Sequence, residues 1–377
     1  MLKQIILALS LAFVSLGSFA QSKKYVIIGY VTGSGWTKAA LEADVTKMTH
    51  INFAFAVPNK DGVLDPLNEG DVKTLAALHD LRKINKDLKI LISIGGWGGC
   101  KYFSDVSVNE AARQKFAKSC LELVNKHHLD GVDIDWEYPA QIGAGNIFRK
   151  EDKQNYTLLL KTLRENLDEQ GKKDNRSRTN HFLLTSATGG DTAFVNHTEL
   201  GKAAQYLDYV NIMTYDLYHG NDVVTGHHSP LYQSKSSDHS RNSSADAVMG
   251  HVKAGVPIGK IVLGVPFYGR GWTNVNAENN GLFQPTTNAE HSFISYNELL
   301  EKYINKNGYV RYWDEGAKVP YLWNAEKKTF FSYADAESEK FKTEYIKKNK
   351  MAGVMFWEYF LDTPDRVLLD TLVKGLE

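Results

Sequence analysis

Apolar residues fall along the chain in two alternating rhythms. Short runs dense in Val, Ile, Leu, Phe and Tyr recur over 25–31, 50–56, 89–94, 131–138, 182–187, 209–215, 261–268 and 354–358. Their β-branched and aromatic character predicts eight strands. Between them lie stretches such as 72–85, 110–127 and 153–169, where apolar residues return at spacings of three and four, the period of an amphipathic helix. Near-continuous apolar strands must be covered on both faces, so this alternation predicts a parallel sheet wrapped in helices. Closing the sheet into a (β/α)8 TIM barrel leaves no open edge and fits eight repeats of the unit.

One interval breaks the rhythm. Between the seventh and eighth strands the chain runs far longer than a loop and a helix require. The stretch 271–350 carries Tyr296, Tyr309, Tyr312, Trp313, Trp323, Phe330, Phe331 and Tyr333 among Gly and Pro punctuation, which predicts a small α+β insertion. An insertion after the C-terminal end of a barrel strand lies over the face where such barrels carry their sites. At the other end of the chain, one Lys precedes an apolar run over 5–16, followed by small residues at Ser18 and Ala20. A membrane span needs about 20 apolar residues; this shorter run predicts a signal peptide, 1–20, cleaved after Ala20. Residues 21–377 then form one barrel with its insertion, exported to the periplasm or the medium and no longer tied to a membrane.

Composition narrows the partners. The 377 residues include 44 Lys+Arg and 44 Asp+Glu, a formal net charge of zero, and 43% are hydrophobic. That balance describes an ordered globule and weighs against disorder, a polyanionic substrate or a nucleic-acid partner. Two cysteines cannot staple a scaffold, and no Cys or His spacing reads as a metal site. Cys100 falls in a Gly-rich loop, whereas Cys120 shares a helical stripe with Phe116 and Val124 roughly 16 Å further on. Buried thiol, not disulfide, is therefore expected at Cys120. His219, His227 and His228 lie in a distant loop, so neither metal nor cofactor is expected, and a monomer suffices.

The segment from Asp130 to Pro139 carries the chemistry. Strand side chains alternate with period two, so Asp133, Asp135 and Glu137 share one face and Val132, Ile134 and Trp136 the other. Trp136 then packs toward the helices. Carboxyls turned into a barrel are costly to ionise unless hydrogen-bonded or paired, and crowding pushes their pKa values apart. Strand rise places Asp133 deepest and Glu137 at the C-terminal rim, where a substrate would meet it.

Asp130-Gly131-Val132-Asp133-Ile134-Asp135-Trp136-Glu137 resembles the DGxDxDxE pattern of the family 18 glycoside hydrolases, the chitinases and their relatives. Ser93-Ile94-Gly95-Gly96-Trp97, Met213-Thr214-Tyr215-Asp216 and Met355-Phe356-Trp357-Glu358 extend the resemblance at the expected strands, and 271–350 resembles the insertion of one subgroup. The resemblance implies hydrolysis of β-1,4-linked N-acetylglucosamine polymers or oligomers by substrate-assisted, retaining catalysis. It assigns Glu137 as acid and base, Asp135 as the orienter of the acetamido group, Asp133 as the group that holds or shares the Asp135 proton, and Tyr215 as a donor to the acetamido oxygen. It places Trp357 as the sugar floor and Trp97 on the leaving side. Tyr30, Phe53, Gly96, Tyr138, Met213 and Asp216 complete the pocket, with Arg270 either touching substrate or held in an ion pair. Two rivals share the motif or the fold: an endo-β-N-acetylglucosaminidase acting on N-glycan cores, and a non-catalytic chitin-binding lectin, which typically replaces the acid retained here as Glu137.

Overall fold

The computed structural model describes residues 25–33, 38–237, 239 and 241–377, and of 288–292 the backbone only. The expected signal peptide lies outside the described residues. In chain order the strands are β1 (Val26–Thr32), β2 (His50–Ala56), β3 (Lys89–Gly95), β4 (Gly131–Asp135), β5 (Leu183–Gly189), β6 (Tyr209–Met213) and β7 (Ile261–Pro266). There follow β8 (Tyr268–Val275), β9 (Thr286–Ser295), β10 (Val310–Asp314), β11 (Val319–Asn324) and β12 (Thr329–Ser332), and finally β13 (Gly353–Trp357). Strands β1 to β7 and β13 close a parallel barrel in which β13 fits between β7 and β1, while β8 to β12 form a separate antiparallel sheet in the order β10-β11-β12-β8-β9. The TIM barrel and its α+β insertion are thus both present.

The alternation in each barrel strand sorts side chains between two cores. Val132, Ile134, Ile92, Ile94 and Phe53 face the surrounding helices, whereas Ile28, Tyr30, Ala187, Met213 and Met355 face the barrel interior. Helix Glu110–Lys126 shows how the covering layer is specified. Asn109 caps it by accepting the Ala112 N–H, a contact worth about 1 kcal/mol, and Phe116, Ala117, Cys120 and Val124 form its buried stripe. Cys100 and Cys120 are both buried free thiols. Trp136 is buried against that layer, stacked on Phe103 at 5.2 Å and edge-on to Tyr156.

Three strands end earlier than their apolar patterns suggest. The β4 run expected to reach 138 stops at Asp135, because its neighbour β3 turns away at Gly95 and Gly96, with φ of 115° and 77°. A side chain on Gly95 would collide with the Asp135 carbonyl oxygen, at 2.1 Å. The run at 209–215 stops at Met213, where the Thr214 hydroxyl turns back to the Gly264 carbonyl. The run at 261–268 divides at Pro266, which has no N–H to continue a ladder; Tyr268 opens the second sheet. That sheet has its own core of Trp272, Val275, Tyr321, Trp323 and Phe330, joined by Tyr218 from the loop after β6. Helix Ala336–Lys348 then packs on Val367–Leu376 and returns the chain to the barrel.

Candidate active site

A groove of about 940 Å³ opens at the C-terminal ends of the barrel strands, with the second sheet supplying Tyr268, Arg270 and Phe293 to its wall. Asp135 and Glu137 line it, and Asp133 lies fully buried below. Tyr30, Gly96, Trp97 and Tyr138 reach the groove from the first half of the barrel. Met213, Tyr215, Asp216, Arg270 and Trp357 reach it from the second.

The three acids of β4 sit in different surroundings. Asp133 accepts four hydrogen bonds: from Tyr30 Oη at 2.8 Å and Ser93 Oγ at 2.8 Å on one oxygen, and from Thr185 Oγ1 at 2.5 Å and Asn211 Nδ2 at 3.2 Å on the other. Burial raises its carboxyl nonetheless, with these donors opposing. Asp135 has a buried Oδ1 without a hydrogen-bond partner among the described residues. Burial, then the charges of Glu137 and Asp133, push its carboxyl well above the usual range. Glu137 is pushed up to about 7 by burial, the Tyr138 side chain acting against this and the charge of Asp216 adding to it. The expected proton sharing between Asp133 and Asp135 finds no hydrogen bond here, since both Asp133 oxygens are engaged by neutral donors.

Across the groove, Asp216 meets Arg270 in two hydrogen bonds of 2.7 Å each, from Nε and from Nη2. His228 Nδ1 stands 3.6 Å from the same carboxylate. Burial alone would raise Asp216, but His228 and Arg270 hold it far below the usual carboxylate range. Of the two roles open to Arg270, the ion pair is therefore formed. Its guanidinium also lies over the rings of Tyr268 and Phe293. His227 faces away, with Nε2 at 3.1 Å from Asp314.

Aromatic surfaces frame the acids. Trp357 stacks on Phe55 at 5.5 Å and tilts against Tyr30 at 5.7 Å. Trp97 is 56% exposed at the rim, 6.4 Å from Tyr138. Among the described residues, the Tyr215 hydroxyl meets only the Met355 sulfur, at 3.8 Å. Phe53, expected in the pocket, is instead wholly buried against the helices and does not line the groove. Phe55 takes that place. Simple alternation puts both rings on one face, but the β2–β3 register shifts between Ala54 and Ala56, and this irregularity turns Phe55 inward. A side chain on Gly96 would strike the Phe55 ring at 2.7 Å, so that glycine makes room for it. Asp191, Arg241 and Asn242 also line the groove; they lie in polar loops with no periodicity to single them out. No group of three or more His, Cys, Asp or Glu side chains fit to hold a metal ion occurs among the described residues.

Residues 26–362 match the family described as Glycosyl hydrolases family 18. Chitinase A1 of Niallia circulans is 40% identical over 89% of this chain, which spans 56% of that protein's length. Chitotriosidase-1 of mouse is 31% identical over 94% of this chain and 76% of its own. Among solved structures, a glycoside hydrolase family 18 N-acetylglucosaminidase from Paenibacillus barengoltzii superposes with a TM-score of 0.85 at 42% identity, over 94% of this chain and all of that one. Chitinase ChiA74 from Bacillus thuringiensis gives 0.84 at 35% identity, over 93% and 69%.

Proposed function

The chain belongs to glycosyl hydrolases family 18, and from that membership we propose that it hydrolyses β-1,4-linked N-acetylglucosamine polymers or oligomers with Glu137 as general acid and then base. The observation that carries this reading is a carboxyl facing the groove and raised to about 7, so that a large fraction still holds its proton near neutral pH. Glu137 protonates the glycosidic oxygen as the bond to the anomeric carbon breaks. The 2-acetamido carbonyl of the same sugar attacks that carbon, forming an oxazolinium ion without an enzyme nucleophile. Asp135, which lines the groove beside Glu137, orients the acetamido group. Asp133, held by Tyr30, Ser93, Thr185 and Asn211, supports Asp135 from beneath, and the weakly held Tyr215 hydroxyl is available to donate to the acetamido oxygen. Glu137 then takes a proton from the incoming water, which attacks from the side of the departed sugar and restores the original anomer.

Glu137→Gln keeps the shape and removes the acid. Release of reducing ends from a chitin oligomer should vanish while calorimetric binding of the oligomer persists; wild-type turnover by the variant would overturn the assignment. A second reading concerns cleavage mode. Similarity to the Paenibacillus N-acetylglucosaminidase over its whole length favours release of single sugars over internal cuts. The early product ladder from a defined hexamer separates the two, and hydrolysis of a high-mannose glycopeptide instead would favour the N-glycan alternative. Export with cleavage after Ala20 belongs to the same proposal: the intact mass of secreted protein should begin at Gln21, and an uncleaved N-terminus would refute it.

A further inference from the structure

We propose that Cys100 is a positioning residue for the acid, its thiol tying the backbone of Glu137 to the glycine loop that carries Gly96 and Trp97. The inference rests on the assignment of Glu137 above.

Regular pairing between β3 and β4 ends at Gly95 and Asp135. Beyond that point the Glu137 N–H has no strand to meet. It donates instead to Cys100 Sγ at 3.1 Å. The same sulfur lies 3.1 Å from the Asp135 carbonyl oxygen and 3.2 Å from that of Gly96, both within reach of its S–H. Cys100 is only 1% exposed. Burial, with the charge of Asp135 adding, raises its pKa, so the group stays a thiol and can donate while it accepts. The loop closes tightly around it: Gly96 N–H meets the Asp135 carbonyl at 2.9 Å, and Gly99 N–H meets the Gly96 carbonyl at 2.9 Å. A side chain on Gly99 would strike the Gly95 carbonyl oxygen at 2.1 Å. One side chain thus replaces the missing strand pairing at the residue that delivers the proton. The loop it holds bears the exposed ring at the groove's rim.

A positioned acid loses rate when it moves by fractions of an ångström; about 1 Å costs on the order of a hundredfold. Three substitutions separate hydrogen bonding from packing. Cys100→Ser keeps a donor and acceptor, Cys100→Val fills the volume without either, and Cys100→Ala removes both. Steady-state kinetics on a chitin oligomer should give Cys100→Ser within about threefold of wild-type kcat, and the other two a kcat lower by about tenfold or more at nearly unchanged KM. In Cys100→Ala, water entering beside Glu137 should also move the alkaline limb of activity to lower pH. Wild-type kcat in Cys100→Val or Cys100→Ala, or equal losses in all three, would overturn the proposal. Should neither apolar variant fold, the S–H stretch of the Cys120→Ala protein, which retains Cys100 alone, decides: a hydrogen-bonded frequency supports the tie and a free one refutes it. Glu137→Gln runs alongside as a control. If it remains active the assignment of Glu137 fails, whereas an inactive control beside a fully active Cys100→Val defeats only the role of Cys100.

Discussion

Two carboxylate settings share the groove and hold their protons oppositely. On β4 and just beyond it, burial raises Asp135 and Glu137, and neighbouring acids add to the effect without a contacting cation to oppose them. On the other wall, burial also acts to raise Asp216, but His228 and Arg270 reverse it. Desolvation is common to both settings; the partner decides the outcome. A guanidinium brought by the first strand of the insertion therefore fixes one negative charge opposite an acid that keeps its proton. The two are linked, because the charge of Asp216 is among the causes that raise Glu137.

The largest effect should come from breaking the proton-holding side. Asp135→Asn retains the shape but cannot act as a carboxylate beneath Glu137 or toward an acetamido N–H. A fall in kcat of about a hundredfold or more is expected, with oligomer affinity nearly unchanged. A loss confined to KM would mean that Asp135 only binds.

The next pair of substitutions tests the link between the walls by the sign of a pH shift. An acid that must be protonated loses activity as pH rises through its pKa, so kcat/KM should decline above about 7, the value set by the burial of Glu137. Asp216→Asn removes a negative charge that favours the protonated form, and the alkaline limb should move to lower pH. Arg270→Met leaves that charge uncompensated, and the limb should move to higher pH. The latter should also cost about 1–3 kcal/mol of stability for the carboxylate left without its partner, readable by urea unfolding. An alkaline limb that stays in place in both variants would show that the walls are electrostatically independent.

These two settings were not equally legible in the sequence. Period-two alternation was enough to gather Asp133, Asp135 and Glu137, because side-chain direction on a strand follows from position alone. The depth of Asp133 and the outward packing of Trp136 followed from the same rule. Asp216 and Arg270 are 54 residues apart, one in a loop after β6 and the other in a strand of the insertion. No local pattern pairs them, and only the family resemblance drew attention to either. Phe53 and Phe55 mark the limit of alternation itself. A shift of register within β2 exchanged their roles, and nothing in the run of apolar residues signals where a ladder will slip. The division at Pro266 was more accessible, since a proline at that point could be read as the end of a parallel strand.

The smallest expected effect distinguishes which partner holds Asp216. Both His228 and Arg270 favour the charged carboxylate, and the ring is completely buried against Tyr268 at 5.3 Å. Geometry nevertheless ranks the two. The guanidinium makes two bonds of 2.7 Å, whereas His228 Nδ1 at 3.6 Å lies beyond hydrogen-bond reach. Burial also lowers the pKa of the imidazole, Asp216 opposing, so the neutral ring is favoured at neutral pH and contributes little charge. His228→Gln should therefore change kcat/KM by no more than about threefold, under 1 kcal/mol, and leave the alkaline limb where it is. A shift as large as that of Arg270→Met would make the imidazole an equal partner, and the fixed charge on that wall would then depend on a group that can itself titrate.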